Sequence, residues 1–172
     1  MPSVKAKLDK EKFKQVLHYV VDSCRNKENI GKVALFKLLY FSDFNFYEIH
    51  EKSITNETYI KLPKGPAPEH FETLVDEMVK EGKIKRINRT FMGRKQFALM
   101  SLQTPDLSKL SATEIKMIDS VICLLSNMNA TQVSEYSHGD MPWKATEDMK
   151  NIDYELVFYR SDLYSVRGSD AD

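Results

Sequence analysis

The stretch GKVALFKLLYFSDFNFYEIH, residues 31–50, constrains the fold more than any other. It is apolar almost all the way round and has no internal glycine or proline after Gly31. Its length favours a helix over a strand, although its aromatics lean the other way. A helix with no polar face must be enclosed by the rest of the chain, so it belongs at the centre of the core. Asp43 sits inside it. A carboxylate there requires a partner, because an unpaired buried charge is costly.

The flanking segments supply that enclosure. Residues 9–25 read as an amphipathic helix with Phe13, Val16, Leu17, Val20, Val21 and Cys24 on one face and Asp9 as N-cap. A short strand is expected at 58–62, followed by a rigid turn through the prolines of LPKGPAP. Residues 69–81 form a helix with Phe71, Leu74, Val75, Met78 and Val79 inward, stopped by Gly82. KIKRIN and RKQFALMSL read as two antiparallel strands joined at Gly93. Ser111 and Glu114 have the spacing of a capping box. The helix after them carries two apolar stripes and should be buried on both sides. Thr131 is the expected cap of a short helix, and IDYELVFY is a helix or a strand.

The class is α+β: a mostly helical single domain with a small antiparallel sheet and a winged-helix-like order in its N-terminal part. The domain is expected over 9–165, with a possible N-terminal part at 9–102 and a helical part at 111–165. Residues 1–8 and 166–172 are expected to fray.

The chain has 172 residues, enough for one core without disulfides. No apolar run is long enough to span a bilayer and the first residues have no signal-peptide core, so the cytoplasm is the expected compartment. Cys24 and Cys123 fall on apolar helical faces and read as buried free thiols. None of the four histidines has a second ligand at metal spacing, and no nucleophile motif or phosphate loop is present. The expectation is therefore a non-enzymatic chain with no catalytic residue, no cofactor and no metal site.

Charge is uneven. Residues 1–100 carry nineteen Lys/Arg against thirteen Asp/Glu, and residues 101–172 carry six against twelve. The basic hairpin, with Lys83, Lys85, Arg86, Arg89, Arg94 and Lys95, could lie along phosphates. The helix beside it carries Glu69, Glu72, Asp76, Glu77 and Glu81, which DNA would repel.

YSHGDMPW, residues 136–143, holds the only tryptophan. Gly139 allows a helix to stop in the left-handed region, and Pro142 fixes a bend. Trp143 then either plugs the core or forms a preformed hook for a partner. His138 is the expected hydrogen-bond partner of Asp43.

Taken in order, KLLYFSDFNFYEIHEKSIT, YIKLPKGPAP and VSEYSHGDMPWKAT resemble the Panacea (SocA-like) antitoxin domain. Lys37, Leu38, Leu39, Tyr40, Phe41 and Asp43 match its apolar helix, and Ser53, Ile54 and Thr55 the start of its strand. Tyr59, Gly65, Pro66 and Pro68 match its strand-and-turn signature. Ser137, His138, Pro142 and Trp143 match its C-terminal turn. Lys64 and Lys52 depart from the pattern, where uncharged residues and glycine are common.

The resemblance implies an antitoxin, often phage- or prophage-associated, that neutralises a cognate toxin by direct protein contact. Delivery of the toxin to an ATP-dependent protease is a further role known in the family. No room is expected for an appended DNA-binding domain. Candidate partner contacts are Lys64, Pro66, Arg86, Arg89, Arg94, Trp143 and Lys144. Asp43, Tyr59, Gly65, Pro68, His138 and Pro142 are expected to be structural. The alternative is a winged-helix nucleic-acid-binding regulator using the 83–95 hairpin, with nucleic acid the less favoured partner and no membrane role.

Overall fold

A computed structural model describes residues 6–167. The expected fraying of residues 1–5 and 168–172 lies outside those residues. The first helix, α1 (Lys10–Ser23), is capped by Asp9, whose carboxylate accepts from the Lys12 N–H. All six residues expected on its inner face are buried. Leu8 already packs on the core ahead of it. Helix α2 (Lys32–His50) is the central element, with thirteen of its residues buried. Its neighbours are α1, the fourth and fifth helices, the second strand and a C-terminal 3-10 helix. The apolar core is continuous from Phe13 to Val157 and draws on both halves of the chain.

Strand β1 (Tyr59–Leu62) runs antiparallel to β2 (Gly65–Pro68). The expected rigid turn is thus a hairpin whose loop is only Pro63 and Lys64. A strand containing two prolines is tolerated for a geometric reason. In the register Leu62↔Gly65, Lys61↔Pro66, Ile60↔Ala67, Tyr59↔Pro68, the prolines alternate with Gly65 and Ala67. An antiparallel ladder exchanges hydrogen bonds only at every second pair, so the missing N–H groups are not needed. The Glu69 N–H continues the ladder to the Thr58 carbonyl at 2.9 Å.

The other edge of β1 is taken by residues 149–152. Lys61 N–H donates to the Lys150 carbonyl at 3.0 Å, Met149 N–H to the Lys61 carbonyl at 2.9 Å, and Ile152 N–H to the Tyr59 carbonyl at 2.8 Å. With both edges occupied, β1 cannot join the second hairpin as it would in a winged helix. The winged-helix order is present, but among the described residues the strands form two separate two-stranded sheets.

Helix α3 (Phe71–Lys80) leads into β3 (Ile84–Phe91) and β4 (Arg94–Ser101), which pair antiparallel over their full length. Their two-residue loop, Met92 and Gly93, has both φ angles positive, at 52° and 76°. That is the turn whose twist matches flanking strands. Helix α4 (Ala112–Leu125) has the expected capping box, with both halves formed.

Its second apolar stripe, Met117, Val121, Leu124 and Met128, is only partly covered: Val121 is buried and the two methionines pack part-buried on the core. Ile118, Val121 and Leu125 are enclosed, whereas Leu124 is 52 % exposed. Cys123, expected to be buried, lies on the same open side and is exposed. Helix α5 (Ala130–His138) is capped by Asn129 rather than Thr131: the Asn129 side chain accepts from Gln132 N–H, and Gln132 answers to the Asn129 N–H. A one-turn helix α6 (Met141–Lys144) and the 3-10 helix Tyr154–Tyr159 complete the fold.

Gly65 is the tightest backbone position. Its φ is +118°, and a Cβ there would overlap the Lys37 side chain and the Ser137 hydroxyl. Gly82, at φ +73°, has open space around it. Gly65→Ala is expected to cost more than about 2 kcal/mol in urea unfolding, because strain and overpacking add. Gly82→Ala should cost about 1 kcal/mol, from backbone strain alone.

Candidate partner-binding surface

One face of α2 carries the polar groups that assemble the site. Lys37, Tyr40, Asn45 and Glu48 lie on one broad helical face, and Asp43 lies beside them. Lys37 is 1 % exposed, and its ammonium donates to the Pro66 carbonyl at 3.0 Å. Burial lowers its pKa to about 7. This contact ties β2 to α2.

Asp43 is fully enclosed and satisfied by four donors. Its Oδ1 accepts from the backbone N–H groups of Ile54 (3.0 Å) and Thr55 (2.9 Å). Its Oδ2 accepts from the Thr55 hydroxyl and the Tyr59 hydroxyl, both at 2.6 Å. His138 is not among them, so the expected Asp43–His138 pair does not form. Burial pushes the Asp43 carboxyl up to about 6, against the opposing pull of its hydrogen bonds.

The end of the face meets Arg160, whose side chain is wholly buried. Its Nε and Nη2 each donate to an Asp140 oxygen at 2.8 Å, a bidentate fork. Its Nη1 donates to Asn45 Oδ1 at 2.8 Å and Glu48 Oε1 at 2.9 Å. Tyr40 donates to the same Asp140 at 2.7 Å. Glu48 also accepts from Ser165, Val166 N–H and Arg167 Nε, which dock residues 165–167 onto α2. Burial alone would raise the Glu48 carboxyl, but hydrogen bonds from Ser165 and Arg160 win and hold it below its ordinary value. Residues 166 and 167, expected to fray, are therefore anchored.

Asp140 extends this internal network to the surface. It is the extended N-cap residue of α6, which Pro142 helps to start. Gly139 does not adopt the left-handed region, with φ at −83°. It is glycine because the Tyr164 hydroxyl occupies the space of a Cβ. Pro142 is buried and Trp143 is half-buried. The His138 ring stacks on Trp143 with centroids 4.3 Å apart at 22°. Lys61 Nζ lies 4.0 Å from the indole centroid and donates to the Thr146 carbonyl at 2.9 Å. The His138 Nε2 and Trp143 Nε1 atoms are covered and have no hydrogen-bond partner among the described residues.

The other expected contact residues divide. Lys64 and Lys144 are exposed on this side of the fold, on the β1–β2 loop and on α6. Pro66, expected at the surface, is buried with Gly65 and Pro68, because β2 lies against α2. Arg86, Arg89 and Arg94 lie on the second hairpin, which packs on α1 and α3 rather than α6. Arg86 is engaged by Asp76 and Glu72. Arg89 donates to three backbone carbonyls of the α1–α2 loop. Arg94 is exposed.

Asp140, Arg160, Glu48 and Lys37 as a buried base were not singled out from the sequence. Lys37 and Glu48 interrupt an apolar helix just as Asp43 does, and that signal was readable. Arg160 carried no local signal, because its partners lie 20 to 115 residues away.

The two buried ionisable groups predict opposite pH responses. Asp43 binds its proton more tightly folded than unfolded between pH 3.8 and about 6, so stability falls as pH rises through that window. The unfolded chain holds the Lys37 proton more tightly between about pH 7 and 10.5, so stability rises there. Asp43→Asn should remove the first slope and Lys37→Met the second, as measured by denaturant unfolding across pH. Asp43→Ala should cost about 3 kcal/mol or more, since four buried donors lose their acceptor. The amide of Asp43→Asn can still pair with them, so it should cost much less.

The family model described as "Antitoxin SocA-like, Panacea domain" matches residues 35–144. No curated protein and no solved structure matches the chain. The match runs from α2 to α6 and includes all three segments that meet at Lys37, Asp43 and Asp140, while Arg160 lies beyond it. The chain belongs to the SocA-like, Panacea-domain antitoxin family.

Proposed function

We propose that this antitoxin-family chain neutralises a cognate protein toxin by direct contact, as a binding module and not as an enzyme. The observation that carries the reading is the half-buried Trp143, held in place by the His138 stack and the Lys61 ammonium. A large ring fixed before binding spends little entropy on docking, and tryptophan is among the residues that dominate interface energies. Exposed Lys64 and Lys144 form a polar rim to this anchor.

Delivery of the captured toxin to an ATP-dependent protease is compatible with such a contact and is a second step of the same reading. The nucleic-acid alternative is weakened by the acids of α3, which pair with cations of the hairpin and its surroundings. Glu72 and Asp76 engage Arg86, Glu81 engages Lys83, and Glu72 also engages Lys32.

Co-expression with the toxin from the adjoining reading frame tests the function. The wild-type chain should restore growth and co-purify with the toxin. Trp143→Ala should lose both while retaining its circular dichroism spectrum, and Lys64→Glu with Lys144→Glu should weaken capture. Full rescue and capture by both variants would place the contact elsewhere.

A further inference from the structure

The hairpin residues 84–101 carry five cations and no acid. Arg86 is neutralised by α3, but Lys85, Arg94 and Lys95 have no acidic partner among the described residues. Beside the hairpin, against the α1–α2 loop, lies a groove of 260 Å³. Ile87, Leu99 and Met100 give it an apolar lining, and Arg25, Asn26 and Arg89 a polar one. Met100 is 42 % exposed.

The two arginines are differently prepared. Arg89 is locked: its Nε donates to Gln96 Oε1 at 2.7 Å, and its Nη2 to the carbonyls of Lys27, Glu28 and Ile30 at 3.0 to 3.2 Å. Its Nη1 has no acceptor among the described residues. Arg25 is largely exposed and held only by Asp22, through a 3.3 Å surface pair with its carboxylate and a 3.4 Å bond to its carbonyl. Such a pair is worth little and is readily exchanged.

We propose that this groove takes an acidic segment of the partner toxin, with a carboxylate on Arg25 and Arg89 and a neighbouring apolar side chain on Ile87, Leu99 and Met100. The inference rests on the reading that the chain binds a toxin directly. Charge complementarity selects the occupant. A guanidinium already fixed through Nε and Nη2 presents its remaining nitrogen, Nη1, to a carboxylate as a charged donor that needs no further ordering. The apolar lining would go unused by a free anion. A nucleic-acid backbone laid along the hairpin would run past Glu72, Asp76, Glu77 and Glu81 of the adjoining α3 segment. The site is chemically unlike the Trp143 surface: one is an aromatic anchor, the other a cationic groove.

The test is calorimetric titration of the purified full-length chain with the toxin from the adjoining reading frame. Arg25→Glu and Met100→Glu should each weaken binding by about ten-fold or more, and the loss should shrink as salt is raised for Arg25→Glu. Lys116→Glu, an exposed change on α4, should leave affinity unchanged. If the toxin binds the wild type and both groove variants equally, the groove inference is overturned and direct neutralisation stands. If the wild type forms no complex with the toxin, both readings fall. Retention of a DNA duplex by the wild type, lost in Arg25→Glu with toxin affinity unaltered, would overturn the inference in favour of nucleic acid.

Discussion

The buried charges along α2 govern the rest of the structure. An ion taken out of water costs several kcal/mol, and only well-placed partners offset that cost. Lys37, Asp43 and Glu48 sit on a helix that is enclosed nearly all round. Their partners must therefore be brought to α2 from elsewhere in the chain. The loop at 53–55, the β1–β2 hairpin, the α5–α6 turn and the segment 160–167 all end on this helix. Removing a partner alone leaves a buried charge uncompensated, so these groups favour the selection of the arrangement in which each of them is met.

That selection reaches the surface. Asp140 is clamped by Arg160 and Tyr40 on its inner side and starts α6 on its outer side. Trp143 follows three residues later with its ring already oriented. The basic hairpin is built by different means, through α3 acids and loop carbonyls that hold Arg86 and Arg89. The molecule thus carries two prepared surfaces on different elements. Their chemistries suit a partner that offers an aromatic-binding recess at one place and an acidic, partly apolar segment at another.

The local grammar of the fold was legible in the sequence. Helical periodicity gave α1, α2 and α3 nearly to their ends, and the caps at Asp9 and Ser111 stand where expected. What escaped was decided by distant contacts. The three prolines of LPKGPAP suggested a turn, yet alternate ladder pairing lets two of them, Pro66 and Pro68, lie in a strand. Cys123 and Leu124 are apolar, but no element covers that side of α4 among the described residues. The need of Asp43 for a partner was readable; the partner was not, since Thr55 and Tyr59 are as ordinary in sequence as His138. The family motifs were recognisable from their order, and the structure supplies the reason for several of them. Gly65 makes room for Lys37 and Ser137, and Asp43 accepts from Thr55 and Tyr59.

The central claim is that the contact surface is finished before any partner arrives, because the internal ion network holds it. Native-state hydrogen exchange on the free chain tests this most directly. The amides of Asp140, Lys144, Ala145 and Val166 all have acceptors in the structure. They should exchange only with global unfolding, at rates comparable to the amides in the middle of α2. Exchange of these four at near-unprotected rates, with α2 still protected, would contradict it.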